Sequence, residues 1–338
     1  MILHSRRLIL AVSFAAVLLA SRTTATDPPA FPPLPTAVSS LGAVECYGYL
    51  YVYGGHAGKT HTYDTKTVLG TFHRLKLDGG AKWEELPGGP ILQGMNLAAH
   101  GGKVYRVGGM HPRNAPGEPA DNISLKDCAR FDPKVGKWEP LPALPAGRSS
   151  HDVVVTGDKL VVVGGWEQKG KGEKPAWHDT ALVFDLAAKN PEWKAVPQPF
   201  QRRALTAAAV GSTVYVLGGL GEAGGDRRVD VLDVATGKWA AGLALPGADR
   251  VAFSPAAAAV GGRLVVNTSE GPVYRLNGKG DGWEKVGEAK TKRVVARLIP
   301  YGTDAVILVG GAGGDRSNVD AVEVVRLDAR REPVTADR

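Results

Sequence analysis

The chain has 338 residues, 43% of them hydrophobic, and a formal net charge of +7 at neutral pH. Its lysines and arginines are scattered among the acids, not gathered in a stripe, so the charge does not point to nucleic acid. Three of the basic residues (Arg6, Arg7 and Arg22) fall within the first 25 positions, and without that stretch the charge drops to about +4.

That first stretch reads as a secretory signal peptide. His4-Ser5-Arg6-Arg7 gives a basic start, Leu8–Ala20 an apolar core of 13 residues, and Thr23-Thr24-Ala25 a small-residue cleavage site. The apolar run is short for a membrane span. No cysteine follows it to carry a lipid. Residues 1–25 are therefore expected to be removed and the rest exported, to the periplasm or outside the cell. Membrane contact is expected only if the segment stays uncleaved. Residues 26–36 are Pro-rich and extended.

From there the chain repeats. Gly-Gly doublets close apolar runs at Gly54-Gly55, Gly108-Gly109, Gly164-Gly165, Gly218-Gly219 and Gly310-Gly311, at intervals of 54, 56, 54 and 92 residues. The double-length interval hides a sixth member, RLVVNTSEG, in which Asn267-Thr268 replaces the doublet. Trp83, Trp138, Trp193, Trp239 and Trp283 each precede the next doublet position by 25 to 28 residues. Runs such as DVVV, KLVVV and TALVFDL are short, Val-rich and separated by Gly, Asp, Asn and Lys turns, which is strand chemistry. No window after the leader shows a helical apolar rhythm. Four short strands per unit of about 50 residues, repeated six times, describe an all-β, six-bladed propeller.

Tyr105, Gly108-Gly109, Phe131 and Trp138, with their counterparts in the other units, resemble the kelch repeat. The resemblance spans about residues 31–328 and implies a kelch-type β-propeller, placed here at 26–328. The sixth unit has a third strand but no tryptophan after it, and Phe31 in FPPLPTAVSS matches Trp138 in WEPLPALPAGRSS. Residues 30–36 are therefore expected to supply the outer strand of the last blade and close the ring, which removes exposed sheet edges. Residues 329–338 read as a flexible polar tail. Cys46 and Cys128 are expected on opposite faces and unpaired. Asn122 and Asn267 begin glycosylation sequons.

In such a fold the loop after each doublet and the start of each inner strand meet on one face. The strand starts carry Ser39, Asn96, Arg148, Arg203, Arg250 and Arg293; the neighbouring loops carry His56, His111, Trp166-Glu167, Glu222 and Arg228. An arginine-rich mouth favours an anionic ligand, because guanidinium offers fixed bidentate donors. The alternative is that most of these arginines tie down loop carbonyls. Trp166 lies outside the tryptophan rhythm and either offers a stacking platform or packs on its own loop. Long loops in the first three blades should wall one side of the mouth.

The segment GEAGGDRRVD resembles a loop of the N-acetylneuraminate epimerases, the sialic acid mutarotases, which are exported six-bladed kelch propellers. That resemblance implies Glu222 as the acid/base for ring opening and Arg228 as the carboxylate anchor, followed by Asp230. Arg227 is the competing choice for the inward residue. His56, His61 and His111 lack zinc-like spacing, so no metal is expected, and no motif calls for a cofactor. Two functions follow: a binding module for a glycan or protein at the mouth, and a sugar mutarotase acting on a small anionic sugar.

Overall fold

A computed structural model describes residues 29–328 and the pair Glu332–Pro333. The expected signal segment, residues 1–25, lies outside the described residues. Six antiparallel main sheets follow one another along the chain. The third shows the pattern: Asp152–Thr156 innermost, then Lys159–Val163, Thr180–Asp185 and Trp193–Pro197 at the rim. A single 3-10 turn, Asp249–Ala252, interrupts the β structure of the described residues.

Each blade is sandwiched between two others, so its second strand buries both faces. This is why Leu160, Val161, Val162 and Val163 form a continuous apolar run in place of an alternation, and all four are fully buried. The core is accordingly divided into six clusters, one at each interface between blades. The cluster of Leu41, Leu50, Val52, Ile299, Ile307 and Val309 joins the first blade to the last and completes the circle. The chain is thus a six-bladed β-propeller.

A doublet hydrogen bond reinforces every seam but one. The second glycine of each doublet donates its N–H to the next blade: Gly55 to Leu92 O (2.8 Å), Gly109 to Arg148 O (2.8 Å), Gly165 to Arg202 O (2.7 Å) and Gly219 to Ala252 O (2.7 Å). Gly311 donates to Val38 O at 2.8 Å and carries the same bond across the closure. A side chain would prevent this approach: a Cβ on Gly54 would lie 2.4 Å from Leu92 O, and one on Gly108 2.5 Å from Arg148 O. Rim tryptophans also reach backwards. Trp138 Nε1 donates to Pro87 O (2.8 Å) and Trp193 Nε1 to Pro142 O (2.9 Å).

At the axis the six blades converge on one backbone ring. Ser40, Gly94, Ser150, Ala204, Ser254 and Val295 all adopt left-handed φ values, between 47° and 59°. Each of five amides donates to the preceding blade: Ser40 to Val295 O, Gly94 to Ser40 O, Ser150 to Gly94 O, Ala204 to Ser150 O and Ser254 to Ala204 O. Among the described residues the circuit is broken only between Ser254 and Val295. The doublet bond is missing at that same fifth-to-sixth seam, where Thr268 donates to Pro272 O within its own turn.

Below the ring, side chains tie the blades together a third time. Asp152 accepts from Asn96 Nδ2 (2.9 Å), Val153 N (2.9 Å), Thr206 Oγ1 (3.2 Å) and Ala207 N (2.7 Å). Arg297 lies 3.4 Å from the same carboxylate and donates to Leu41 O (2.8 Å) and Met95 O (2.6 Å). Asn96, expected at the mouth, is thereby a strut in the channel; it also accepts the Ala43 N–H at 3.1 Å.

Several expectations change. No strand forms over residues 30–36, and the last main sheet has three strands among the described residues. The segment still follows the register of its counterparts: Leu34 N donates to Asp320 O (2.7 Å) as Leu144 N does to Lys126 O (2.9 Å). Pro32 O accepts from Trp83 Nε1 at 3.3 Å, the role of Pro142 toward Trp193. Phe31 therefore corresponds to Leu141, not Trp138; it packs edge-on against Tyr301 with centroids 5.7 Å apart. Glu332–Pro333, within the expected flexible tail, pairs with Glu284 and Lys285 as a fifth strand on the fifth blade. Cys46 and Cys128 are free and buried, and burial pushes their thiols up to about 11 and about 12. Asn267 is 3% exposed, with its Nδ2 donating to Gly271 O and Pro272 O, so the folded chain withholds that sequon.

Removing the axial carboxylate strands a buried guanidinium and four donors. Asp152→Ala should lower the unfolding free energy by about 3–5 kcal/mol, measured by denaturant titration of the purified chain. A loss below about 1 kcal/mol, the scale of an exposed pair, would show that the network is not the axial tie described.

Candidate functional site

The face on which the doublets open holds a cavity of about 580 Å³ above the ring of left-handed residues. Its construction repeats blade by blade. The residue after each doublet (His56, Met110, Trp166, Leu220 and Ala312) lines the cavity. Each pairs with a residue three or four positions ahead of the inner strand: Ser39, Gln93, Ser149, Arg203 and Val294. The third contributor is the ring itself, through Ser40, Gly94, Ser150, Ala204 and Val295.

This register separates the expected arginines. Arg148, Arg202 and Arg293 sit one position before the residue that pairs with the post-doublet position, and a one-residue step along an extended segment reverses the side chain. All three turn into their own blades. Arg148 donates to Gly164 O (3.1 Å) and Thr180 O (2.9 Å), and burial lowers its pKa to about 10. Arg202 donates to Gly218 O and Arg228 O, both at 2.9 Å, and pairs with Asp230. Arg293 donates to Gly310 O and Ala321 O, both at 3.2 Å, and pairs with Glu323. Arg250 lies on the 3-10 turn with a side chain 74% exposed, paired with Glu270; the mouth position of that blade belongs to Phe253.

Arg203 alone of the expected arginines lines the cavity. Its guanidinium stacks 4.1 Å above the Trp166 ring and 5.9 Å from that of Trp177. Trp166 thus packs on its own loop, against Trp177 with centroids 5.6 Å apart, and also serves as a platform, for Arg203. Among the described residues Arg203 forms no ion pair, and its Nε is buried without a hydrogen-bond partner. Burial lowers its pKa, with Tyr63 acting in the opposite direction. It remains a cation at neutral pH. No aspartate or glutamate lines the cavity, while Arg316 stands at its rim.

Neutral polar groups complete the near wall. His56 is 2% exposed, bonds Thr62 O through Nε2 at 2.8 Å and meets Tyr63 edge-on at 4.8 Å. Burial is the first cause that lowers the His56 pKa, which keeps the ring uncharged at neutral pH. Burial likewise raises Tyr63, so it stays a phenol. The long loops interlock as expected of a wall: Thr60 Oγ1 donates to Arg316 O, Asn318 Nδ2 to Gly58 O and Asn114 Nδ2 to Tyr63 O, each at 3.0 Å. His111 bonds Ile91 O at 3.1 Å and does not line the cavity.

The epimerase-like loop lies elsewhere. Leu220–Gly221 and Gly224–Gly225 form a two-stranded hairpin, with Glu222 exposed in its turn. Arg228 is 63% exposed on its side chain and makes a bidentate pair with Asp226 (2.7 and 2.8 Å). Arg227 pairs with Asp249 at 3.1 Å and donates to Leu245 O. None of the three lines the cavity. Gln93 and Tyr63, which do, were not singled out in the sequence. The post-doublet rule, applied to the pairing partner of each such residue, would have selected Gln93 and Arg203.

Six radial sheets around a lined axial mouth define the protein as a six-bladed β-propeller, and its glycine-doublet and tryptophan repeats are similar to those of kelch proteins. No family model matches the chain. Kelch-like protein terF of Aspergillus terreus (strain NIH 2624 / FGSC A1156) is 25% identical over 260 residues, covering 72% of this chain and 53% of that protein. Kelch-like protein 7 of Rattus norvegicus is 34% identical over 125 residues, covering 36% and 20%. The chain thus spans about half, or less, of the curated relatives it matches. The solved structure of YjhT superposes with a TM-score of 0.71 at 17% identity, covering 90% of this chain and 99% of the other. That likeness establishes the fold alone.

His151, fully buried beside the ring, supplies a pH test of the closed axis. Burial, then the Arg148, Arg297 and His178 charges, hold its pKa well below the usual histidine value. The folded state keeps the ring neutral, whereas the unfolded chain protonates it near pH 6.5. Its contribution is therefore intact above about pH 6.5 and is lost as pH falls from there toward the folded value. Unfolding titrations from pH 8 to 5 should show stability falling below pH 6.5. His151→Leu should reduce that slope by up to about 1.4 kcal/mol per pH unit; an unchanged slope would place the titration elsewhere.

Proposed function

We propose that the propeller is a ligand-binding module whose mouth takes a small anionic ligand, with Arg203 as its anchor. The supporting observation is the state of Arg203: a half-buried guanidinium without an acid, its Nε buried and unpartnered. Desolvating an unpaired charge costs several kcal/mol, and stacking on Trp166 returns about 2 kcal/mol when desolvated. An incoming carboxylate would offset the remainder by forming the bidentate pair that this geometry leaves open. Tyr63, Gln93, Ser40 and Ser150 line the same space as neutral donors. Because the walls are already bonded to one another, little ordering accompanies binding.

Arg203→Ala should remove binding of carboxylate ligands, measured by calorimetry, while leaving the melting temperature equal or higher. Retained affinity would remove Arg203 from the site. The mutarotase reading rests on the loop likeness and needs Glu222 to reach the sugar. Its test is anomer exchange of N-acetylneuraminate followed by NMR. Acceleration lost in Glu222→Gln would establish it, and acceleration lost in Arg203→Ala but kept in Glu222→Gln would move the chemistry to the cavity.

Export is proposed from the leader. The mass of the mature protein recovered from the cell envelope or medium should lack about 25 residues, as a cleaved signal peptide requires. Recovery of the full-length mass would rule out cleavage.

A further inference from the structure

We propose that the ligand held by Arg203 is amphipathic: a carboxylate at one end and an apolar ring or chain at the other. The proposal rests on the binding reading above and specifies the chemical class of the occupant. Its basis is the division of the cavity between two walls.

Blades one and two supply polar groups from Ser39, His56, Tyr63 and Gln93, with Arg203 completing that side over Trp166. The opposite arc offers Leu220, Phe253, Val294, Val295 and Ala312. Apart from Arg316, at the rim of the sixth blade, no side chain there donates or accepts. The backbone offers little more than the Val295 N–H, which the open ring link leaves unbonded among the described residues: Leu220 N is bonded to Arg203 O and Ser254 N to Ala204 O, both at 2.8 Å. Val294 and Ala312 are paired with each other in a two-stranded ladder.

A polyhydroxylated acid anchored on Arg203 would press several hydroxyls against this arc. Each would lose its water and gain few partners, a penalty that outweighs a typical hydrogen bond. An apolar group there instead exchanges water for the faces of Phe253 and Leu220. The cavity volume of about 580 Å³ lies in the range of drug-sized ligands, well beyond a lone carboxylate.

The test uses the full chain and a panel of acids read by ligand-observed NMR and calorimetry: glucuronate, hexanoate, 3-phenylpropionate and indole-3-acetate, with 3-phenylpropanol as the neutral control. Expected is about tenfold or more tighter binding of 3-phenylpropionate than of glucuronate. Phe253→Ser and, separately, Val294→Ser should weaken 3-phenylpropionate several-fold without affecting glucuronate. Two variants guard against one misfolding. If glucuronate binds as tightly as 3-phenylpropionate and both need Arg203, the amphipathic assignment fails while the binding site stands. If affinity is the same in Arg203→Ala, or if 3-phenylpropanol binds as well as its acid, the site reading fails instead. Binding by no member of the panel overturns both.

Discussion

The hydrogen bond from the second glycine of a doublet to the carbonyl of the next blade is the contact on which the rest of this molecule depends. It occurs at five seams and sets the distance between neighbouring blades at the level of the mouth. A Cβ on the first glycine would collide with that carbonyl, and both glycines of each pair take a positive φ. The post-doublet residues, the pairing partners and the left-handed ring all take their positions from it. The buried network around Asp152 and Arg297 then holds the same geometry from below, drawing donors from blades far apart in sequence.

The site follows from this frame with little added chemistry. A repeat places one side chain per blade at the rim of the cavity, so its character depends on which residue the repeat happens to present. Here the sequence of rim residues puts serine, glutamine and arginine on one arc and phenylalanine and valine on the other. An arginine stacked on tryptophan and facing no acid is the feature that departs from structural economy. Arg148, Arg202 and Arg293, in contrast, satisfy carbonyls that the doublets leave unpaired.

One seam is built differently. Between the fifth and sixth blades both the doublet bond and the ring bond are absent among the described residues, and Asn267-Thr268 folds back on its own turn. Apolar packing of Ala256, Val265, Ala296 and Leu308 joins those blades, with hydrogen bonds farther out from Asp328 N to Val286 O (2.7 Å) and from Lys290 N to Glu323 Oε1. The loss of the doublet in the fifth repeat thus has a local cost in hydrogen bonds and leaves the circle intact.

The architecture was legible because its determinants are local and repeated: apolar runs recur in six units, five of them with a glycine pair and five with a spaced tryptophan. The face carrying the site was legible for the same reason, since connectivity alone brings the post-doublet loops together. Which arginine looks into the mouth was not. Arg202 and Arg203 are adjacent in sequence and opposite in direction, and the difference is one residue of register against a strand sixteen or more positions away. The same limit shifted Phe31 by three positions and put Glu222 on a hairpin turn outside the cavity. Sequence by itself determined the number of blades, their order and the end of the ring that is open to ligand, because those follow from periodicity and chain connectivity. Tertiary structure alone decided which of the mouth arginines are spent on carbonyls and acids and that Arg203 faces the cavity without an acid, because a charge is satisfied by neighbours in space that the fold brings together.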